Sequence, residues 1–348
     1  MRSLQDYSLE QLTETVKERG FPAFRAKQLY DLALRFKTYE ESTNLPKDLK
    51  EKFQDIAATS LTVIEVRESK IDKSKKYLYR LNDGNVIEGV YMPHGYGDTL
   101  CVSTQVGCRM GCAFCASGLG GLVRNLTVGE ILGQVLAANR LNGGTPEKRA
   151  VTNVVLMGSG EPLDNFEEVM RFFKLVSDTR GIGISPRNIS LSTCGLVEKI
   201  KELADSGIPV TLSVSLHAPT DESRSALMPV NKKYGVYQVI DAARYYAGKT
   251  GRRVIFEYTL TENENSTVAS AKKLAKLLRG FPCHVNLIRL NYVKEKGVKP
   301  ASERRVKEFE KTLQEQNISV TVRRSMGADI DGACGQLRRK FLSEEGNG

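Results

Sequence analysis

Short apolar runs alternate with amphipathic helical stretches over much of this 348-residue chain, and this alternation constrains its fold most strongly. The strand-like runs are LCVSTQV (100–106), NVVLMG (153–158), ISLST (189–193), VTLSVSL (210–216), RVIFEYTL (253–260) and HVNLIRL (284–290). Helical stretches follow them at 127–139, 166–177, 196–206, 237–247, 266–278 and 303–316. Six βα units in a row predict an α/β fold with a parallel sheet and right-handed crossovers. Periodicity leaves a closed barrel, a partial barrel and an open doubly wound sheet as alternatives, and all three place functional residues at the carboxyl ends of the strands.

Two segments precede the alternating region. Residues 1–58 are predicted to be helical, because Ser8 and Gln11 form a capping-box pattern ahead of apolar residues at helical spacing. Residues 59–98 contain short strand-like runs, the last two of which are separated by the turn signal NDGN (82–85). We therefore divide the chain into an N-terminal helical domain (1–58), a β extension (59–98), a core domain (99–340) and a disordered tail (341–348).

Charge and composition narrow the classes of partner. Lys and Arg number 51 against 41 Asp and Glu, which gives a net charge of +10. This surplus favours a polyanionic partner such as nucleic acid, although a merely basic protein fits the charge alone equally well. No run approaches the roughly 18 apolar residues that a membrane helix needs, and the N-terminus has no signal-peptide pattern. We expect a cytoplasmic protein with no membrane partner.

Cysteine spacing points to a metal centre. Seven cysteines lie at positions 101, 108, 112, 115, 194, 283 and 334, and CRMGCAFC (108–115) is a CxxxCxxC motif. Three thiolates on one loop can bind three irons of a [4Fe–4S] cluster, which leaves the fourth iron open for chemistry. The alternative is a zinc site with Cys101 or another cysteine as fourth ligand, but zinc sites usually come as CxxC pairs and no second pair exists here. The sequence predicts Cys108, Cys112 and Cys115 as cluster ligands.

At this motif the chain resembles the radical S-adenosylmethionine (SAM) superfamily. The segment GSGEP (158–162) is similar to the GGEP element of that superfamily, so Gly160 and Glu161 are expected to bind SAM at its amino group. The resemblance implies a partial (βα)6 TIM-like radical SAM barrel, with one [4Fe–4S] cluster and SAM as cofactors. It also implies that the open iron chelates the amino and carboxylate groups of SAM, and that one electron cleaves SAM to a 5′-deoxyadenosyl radical.

A closer resemblance covers nearly the whole chain and is to the adenosine-methylating RlmN/Cfr branch. It rests on the collinear blocks CVSTQVGC (101–108), RNLT (124–127), SLHA (215–218), LMPVN (227–231) and DIDGACGQL (329–337). The N-terminal helical domain is similar to the accessory RNA-binding domain of that branch. By position, the further SAM contacts implied are Ser192, Ser215, Leu216, His217 and Asn291.

The same resemblance implies three catalytic residues. An aromatic C–H carbon of adenine is not nucleophilic, so SAM cannot transfer a methyl group to it directly. The resemblance implies that one SAM molecule methylates Cys334 and that the radical from a second SAM abstracts hydrogen from that S-methyl group. The methylene radical joins the adenine carbon, which links protein and RNA through a thioether. Glu88 then accepts the ring proton, and Cys101 attacks the sulfur of Cys334 to release the RNA and leave a disulfide. Cys194 and Cys283 match no functional position and are predicted to be structural.

The branch contains two kinds of enzyme that differ in the carbon they methylate. RlmN enzymes methylate carbon 2 of an adenosine in the peptidyl transferase centre of 23S rRNA, and in some bacteria a tRNA adenosine. Cfr enzymes methylate carbon 8 of the same rRNA nucleotide and confer antibiotic resistance. Glu161-Pro162 resembles RlmN, whereas Arg289, Tyr292 and Gly332 depart from its usual pattern. We predict RlmN-type methylation, with Cfr-type methylation as the alternative, by a monomer that receives electrons from flavodoxin or ferredoxin.

Basic residues near the predicted site fit an RNA substrate. Arg and Lys at 294, 296, 299, 323, 324 and 338–340 are predicted to contact phosphates, although such runs are often solvated surface. Two other functions compete with methylation. A radical SAM enzyme of another reaction type would not need Glu88, Cys101 and Cys334 together, and a zinc RNA-binding protein would contain no iron.

Overall fold

A computed structural model describes residues 2–262, 264–324, 326–330, 337–338 and 341 of the chain. The predicted methyl carrier Cys334, the departure Gly332 and residues 342–348 of the predicted tail lie outside the described residues. Phe341, the first residue of that tail, is half-buried against an apolar cluster of the β extension. The division into domains stays a prediction.

The predicted N-terminal helices and β extension both form. The helices are α1 (Leu9–Glu18), α2 (Phe24–Leu34) and α3 (Lys47–Lys52). The Ser8 side chain accepts a hydrogen bond from Gln11 N and so confirms the predicted capping box at the start of α1. The extension consists of three antiparallel strands, β1 (Leu61–Glu68), β2 (Lys75–Leu81) and β3 (Val86–Met92).

The alternating region forms the core domain. Its strands are β4 (Thr99–Cys101), β5 (Gln105–Gly107), β6 (Leu122–Asn125), β7 (Asn153–Leu156), β8 (Ile189–Thr193), β9 (Thr211–Ser215), β10 (Val254–Leu260), β11 (Cys283–Arg289) and β12 (Val320–Val322). Its helices are α4 (Val128–Leu141), α5 (Phe166–Ser177), α6 (Val197–Asp205), α7 (Asp221–Leu227), α8 (Val236–Thr250), α9 (Val268–Leu278) and α10 (Glu303–Glu315). In the described part of the chain, none of the helices combines the length and the apolarity that crossing a bilayer requires.

Strand order distinguishes between the arrangements that periodicity leaves open. The large sheet runs β1-β2-β3-β4-β7-β8-β9-β10-β11-β12, and every pair from β4 onward is parallel. A doubly wound sheet reverses its strand order at a switch point, whereas here each βα unit adds its strand beside the previous one. The core is therefore a partial barrel with the antiparallel extension continuing from β4.

The sequence prediction of one strand over 100–106 is wrong. The chain leaves the large sheet after Cys101, and Gln105 begins β5, which pairs with β6 in a separate two-stranded sheet. The reason is a contact from α4, where the buried Gln134 amide binds Ser103 at both its backbone N and its backbone O, each at 2.9 Å. This contact replaces the sheet hydrogen bonds of Ser103. The helix α7 and the strand β6 were also not predicted from the sequence.

The N-terminal domain is joined to the barrel through buried polar contacts at α4. Asp6 Oδ1 accepts a hydrogen bond of 2.8 Å from Gly129 N, and Asp6 Oδ2 accepts from both the backbone and the hydroxyl of Ser3. Gly129 is needed at this position because a Cβ atom there would lie 2.6 Å from the Asp6 carboxylate. Ser60, at the start of the β extension, donates to Gly129 O at 2.8 Å, so the N-terminal domain and the extension both contact the first turn of α4.

We expect Asp6→Ala to lower the free energy of unfolding by roughly 2–3 kcal/mol, because buried amide donors lose a charged acceptor. The matched control is Asp55→Ala, since Asp55 is 65% exposed and pairs with Arg19 at the surface. Such a pair contributes about 0–1 kcal/mol. Urea unfolding followed by circular dichroism measures both changes. Equal midpoints for the two variants would contradict the assigned role of Asp6.

Candidate active site

The three predicted cluster ligands lie on the loop that connects β5 to β6. Cys108 N donates to Gly121 O at 2.9 Å and closes the base of this loop, and Cys115 N donates to Cys112 O at 3.3 Å within it. A Cβ atom on Gly107 would lie 2.0 Å from Gly121 O, so only glycine allows the loop to close. The cysteines therefore lie on a short, tightly closed loop.

The cysteine loop packs against the segments that follow β8 and β9. Ala113 N donates to Leu227 O at 2.8 Å. Phe114 meets the His217 ring edge-on, with ring centroids 4.9 Å apart. An apolar cluster of Cys194, Ala218, Leu227 and Met228 lies beneath Met110, Cys112 and Phe114. These contacts turn the loop toward the carboxyl ends of the barrel strands.

A cavity of about 310 Å³ opens at that end of the barrel. All three cysteines of the loop line it, together with residues that follow β7, β8, β9, β11 and β12. Six of the seven predicted SAM-binding residues line the same cavity: Gly160, Glu161, Ser192, Ser215, His217 and Asn291. Leu216 is fully buried in the wall, where its backbone N donates to Glu257 O at 3.1 Å. Their contacts with SAM stay predictions.

Glu161 is a buried carboxylate held by backbone donors. Its Oε2 accepts from Cys194 N at 2.7 Å, and its Oε1 accepts from Leu163 N at 3.0 Å. Burial raises the pKa of Glu161, and these hydrogen bonds oppose that rise. Gly160 before it has φ +111°, and a Cβ atom there would lie 2.6 Å from Gln105 Cβ. The turn thus fixes the carboxylate at the cavity wall.

The surroundings of His217 do not suit it to proton transfer. Its Nδ1 accepts from Thr259 N at 2.9 Å, and burial together with Arg224 lowers its pKa to about 3. The imidazole ring of His217 is therefore neutral.

Arg224 is a fully buried cation that organises the loops around His217. Its guanidinium donates to the backbone oxygens of Leu216, Cys194, Ser215 and Tyr234, and to Asn231 Oδ1 at 2.9 Å. One side chain therefore fixes the chain after β8 and the chain after β9 relative to each other. Sequence analysis missed Arg224, because nothing in the sequence distinguishes a buried arginine from a surface one.

Glu88 lies in the extension and is only 2% exposed. Its Oε1 accepts from Lys76 Nζ at 3.0 Å, and the Lys76 side chain is itself fully buried. Its Oε2 accepts from the backbone N of Arg338 at 3.1 Å. Removing one partner of a buried ion pair leaves an uncompensated charge. Lys76 is therefore the buried counter-charge of Glu88, and sequence analysis missed it for the same reason as Arg224.

Cys101 and Glu88 lie on the same face of neighbouring strands. Cys101 pairs with Val90 across the antiparallel β3–β4 ladder, and Glu88 is two residues from Val90 on β3. Residues two apart on a strand, and residues directly opposite on its neighbour, project to the same side of a sheet. Cys101 is 7% exposed. The structure thus places two of the three predicted catalytic residues on one surface.

The chain on either side of Cys334 is attached to the extension. Before it, Asp329 accepts hydrogen bonds from the Ser69 hydroxyl at 2.7 Å and from Lys70 N at 3.0 Å. After it, Leu337 is fully buried in an apolar cluster with Leu78 and Val86. These contacts join residues about 250 positions apart in sequence and bring the flanks of Cys334 to the strand that carries Glu88.

The predicted phosphate-binding residues fall into two groups. Lys294, Lys299 and Arg324 are exposed, as a phosphate contact requires. Arg323 instead points into the cavity, and Arg338 donates its Nε to Val86 O at 2.6 Å. Residues 339 and 340 lie outside the described residues.

Comparisons with known proteins identify the family. The Radical SAM superfamily profile matches residues 102–274. The "Probable dual-specificity RNA methyltransferase RlmN" of Clostridium perfringens is 47% identical over 99% of each chain, and the protein of that name from Thermoanaerobacter pseudethanolicus is 47% identical over 99% of this chain and 100% of its own. This chain belongs to the RlmN family. A crystal structure of a radical SAM methyltransferase from Sphaerobacter thermophilus is 42% identical, with a TM-score of 0.91 over 97% of this chain and 99% of that one.

The RlmN family, as part of the radical SAM superfamily, uses a [4Fe–4S] cluster and SAM, and the cavity fits both. Its volume lies in the range of about 300–1,000 Å³ typical of small-molecule sites. Burial raises the pKa of Cys108 to about 11 and that of Cys112 to about 12. Among the described residues, no three His, Cys, Asp or Glu side chains are arranged as around a bound metal ion. Cluster binding therefore requires these thiols to lose their protons.

We expect Cys108→Ala, Cys112→Ala and Cys115→Ala each to lose the cluster, since three protein ligands hold it. Cys283→Ala is the matched control, because Cys283 is buried in β11 and does not line the cavity. The measurement is iron and sulfide content after anaerobic reconstitution, with the visible absorbance of the protein. A full iron complement in any of the three loop variants would overturn the ligand assignment.

Proposed function

We propose that this RlmN-family enzyme methylates carbon 2 of an adenosine in 23S rRNA, and also a tRNA adenosine, through S-methylated Cys334. The relatives that match over their full length are named dual-specificity RNA methyltransferases, which supports RNA as the substrate. The observation that carries the proposal is the contact of Glu88 with the backbone of Arg338, four residues after Cys334. It joins the predicted base to the segment that contains the predicted methyl carrier.

The residues divide the chemistry between them. Bound in the cavity, the cluster and SAM would supply the methyl group and the radical that activates it. The sulfur of Cys334 holds the methyl carbon and keeps it bonded while that carbon joins the adenine ring. Glu88 takes the ring proton, and Lys76 Nζ lies 3.0 Å from its carboxylate. The Cys101 thiolate then attacks the Cys334 sulfur, which breaks the carbon–sulfur bond and forms a disulfide. The released carbon takes up a proton to become the methyl group, and the unpaired electron of the adduct would return to the cluster.

The position of Arg289 supports carbon 2 over carbon 8. Arg289 departs from the usual RlmN pattern and could have placed a cation in the cavity. Its guanidinium instead forms a two-bonded ion pair with Glu303 on α10, at 2.8 and 3.0 Å, and Arg289 does not line the cavity. Arg289 therefore adds no cation to the lining of the cavity, while Glu161-Pro162 keeps the RlmN form.

Exposed cations support RNA as the partner. Lys294 and Lys299 follow β11, and Arg324 follows β12, so all three lie beyond the carboxyl ends of strands that border the cavity. The net charge of +10 adds a general attraction for phosphates. A base must leave its stack to reach a cavity at a barrel mouth. Electrons for the cluster would come from flavodoxin or ferredoxin, and the enzyme would act as a monomer.

We expect rRNA from a strain lacking this gene to lose one methyl group at carbon 2 of a single 23S adenosine. Mass spectrometry of rRNA fragments locates the loss, and the same analysis of purified tRNA tests the second substrate. Complementation with the wild-type gene should restore the methyl group, and Cys334→Ala should not. Loss at carbon 8 would establish the Cfr-type alternative, and unchanged rRNA and tRNA would overturn the proposal.

We expect Cys101→Ala to bind a normal cluster but to accumulate a covalent protein–RNA thioether, since no thiol is left to break it. A thiol even about 1 Å out of place would resolve the adduct far more slowly, so Cys194 should not substitute. The measurement is a denaturing gel of protein from cells, with and without ribonuclease, followed by mass spectrometry of the Cys334 peptide. Cys283→Ala serves as the control. Methylated RNA at the wild-type rate, with no crosslinked species, would refute the roles of both cysteines.

A further inference from the structure

Glu257 is a buried carboxylate at the cavity that the chemistry above does not use. It lies in the middle of β10, lines the cavity and is 3% exposed. Its Oε1 accepts from Asn286 Nδ2 at 3.1 Å. Within the described part of the chain, its Oε2 has no hydrogen-bond donor. A buried acceptor without a donor is costly, so a ligand that brings a donor to Oε2 would gain by binding there.

The nearest cation does not satisfy that oxygen. Arg323 Nη1 lies 3.6 Å from Glu257 Oε2, which is beyond hydrogen-bond distance, and it also contacts Met157 Sδ at 3.6 Å. Burial raises the pKa of Glu257, and Arg323 opposes this rise. The ion pair thus helps to keep the carboxylate charged while leaving Oε2 available to the cavity.

The backbone fixes where Glu257 lies relative to the predicted SAM-binding residues. Its carbonyl oxygen accepts from Leu216 N at 3.1 Å and from His217 N at 3.3 Å, and it is in register with Ser215 on β9. The carboxylate is therefore level with the SLH segment. It is separated from the Glu161 turn, which follows β7, by the strands β8 and β9.

SAM offers three kinds of hydrogen-bond donor to such a carboxylate. Its ammonium group is expected at the Glu161 turn after β7, beside the cluster. Glu257 lines the same cavity from β10, three strands farther along the sheet, so another donor of SAM is the better match for it. Of the two donors left, the ribose hydroxyls are the usual partners of a buried carboxylate, as in dinucleotide sites. The adenine amine is the other.

We propose that Glu257 binds a ribose hydroxyl of SAM through Oε2, and that Asn286 and Arg323 hold the carboxylate in position for it. The proposal rests on SAM as the cofactor of the family and is independent of the RNA substrate and of the methylated carbon. It adds Glu257 to the SAM-binding residues and gives the orphaned oxygen its donor.

The test measures SAM binding without RNA, using full-length protein with a reconstituted cluster. Equilibrium dialysis gives the Kd of SAM, 2′-deoxy-SAM, 3′-deoxy-SAM and N6-methyl-SAM. We expect the wild type to bind at least one deoxy analogue roughly tenfold or more weakly than SAM, because a hydrogen bond to a charged group is lost. Glu257→Ala should bind SAM weakly by a similar factor and should no longer distinguish SAM from that analogue.

Glu262→Gln is the matched control, since Glu262 is an exposed carboxylate just after the same strand, and it should bind all four ligands like the wild type. If Glu257→Ala fails to hold its cluster, Glu257→Gln keeps the side-chain shape and carries the test. Wild-type Kd values in both Glu257 variants, or discrimination of the deoxy analogues that survives in them, would overturn the proposal. So would a Glu257-dependent loss confined to N6-methyl-SAM.

Discussion

The active site depends on the hydrogen bonds of one buried residue, Ser103. Its backbone is held by the Gln134 amide of α4, and its hydroxyl donates to Glu88 O at 2.8 Å while accepting from Ser159 N at 3.0 Å. The strand of the predicted base, the turn that carries Glu161 and the chain that leads to the cysteine loop therefore meet at this point. Any shift of Ser103 would move all three together, because Ser103 and Gln134 are fully buried and closely packed.

The buried charged side chains of this protein differ in the groups that pair with them: some pair with backbone groups and others with a charged side chain. Arg224 and Glu161 are neutralised mainly by backbone groups of the loops around the cavity, so they set the shape of the site. Glu88 pairs with the buried Lys76 and accepts a hydrogen bond from Arg338 N, so both of its oxygens have a partner. Glu257 is the exception, with one oxygen satisfied and the other facing the cavity. A carboxylate whose two oxygens both have donors is structural, whereas one with an oxygen left for the cavity can bind a ligand.

The fold follows from sequence where local pattern decides it. The strands β7 to β11 begin and end within about two residues of their predicted bounds, and the capping box at Thr127 starts α4 as expected. The prediction fails at 100–106, where the contact of Gln134 with Ser103 comes from a helix some 30 residues later and leaves no mark on strand periodicity. Lys76 and Arg224 could not be found either, since burial of a charge is set by tertiary packing. The candidate site came from motif resemblance, and the cavity shows only that its residues share one place.

The β extension binds the chain on both sides of Cys334. It pairs with β4 and so continues the barrel sheet beside the cavity. Its β1–β2 turn binds Asp329 and, through Asp72, Gly327 N at 2.8 Å, while β2 and β3 receive Leu337 and Arg338. Both flanks of Cys334 are therefore attached to the element that carries Glu88, and β4 beside it carries Cys101. A barrel without the extension would keep the residues that line the cavity and would lose Glu88 together with the anchor for both flanks of Cys334. In the proposed mechanism, radical formation requires the barrel alone, whereas transfer to RNA also requires the extension.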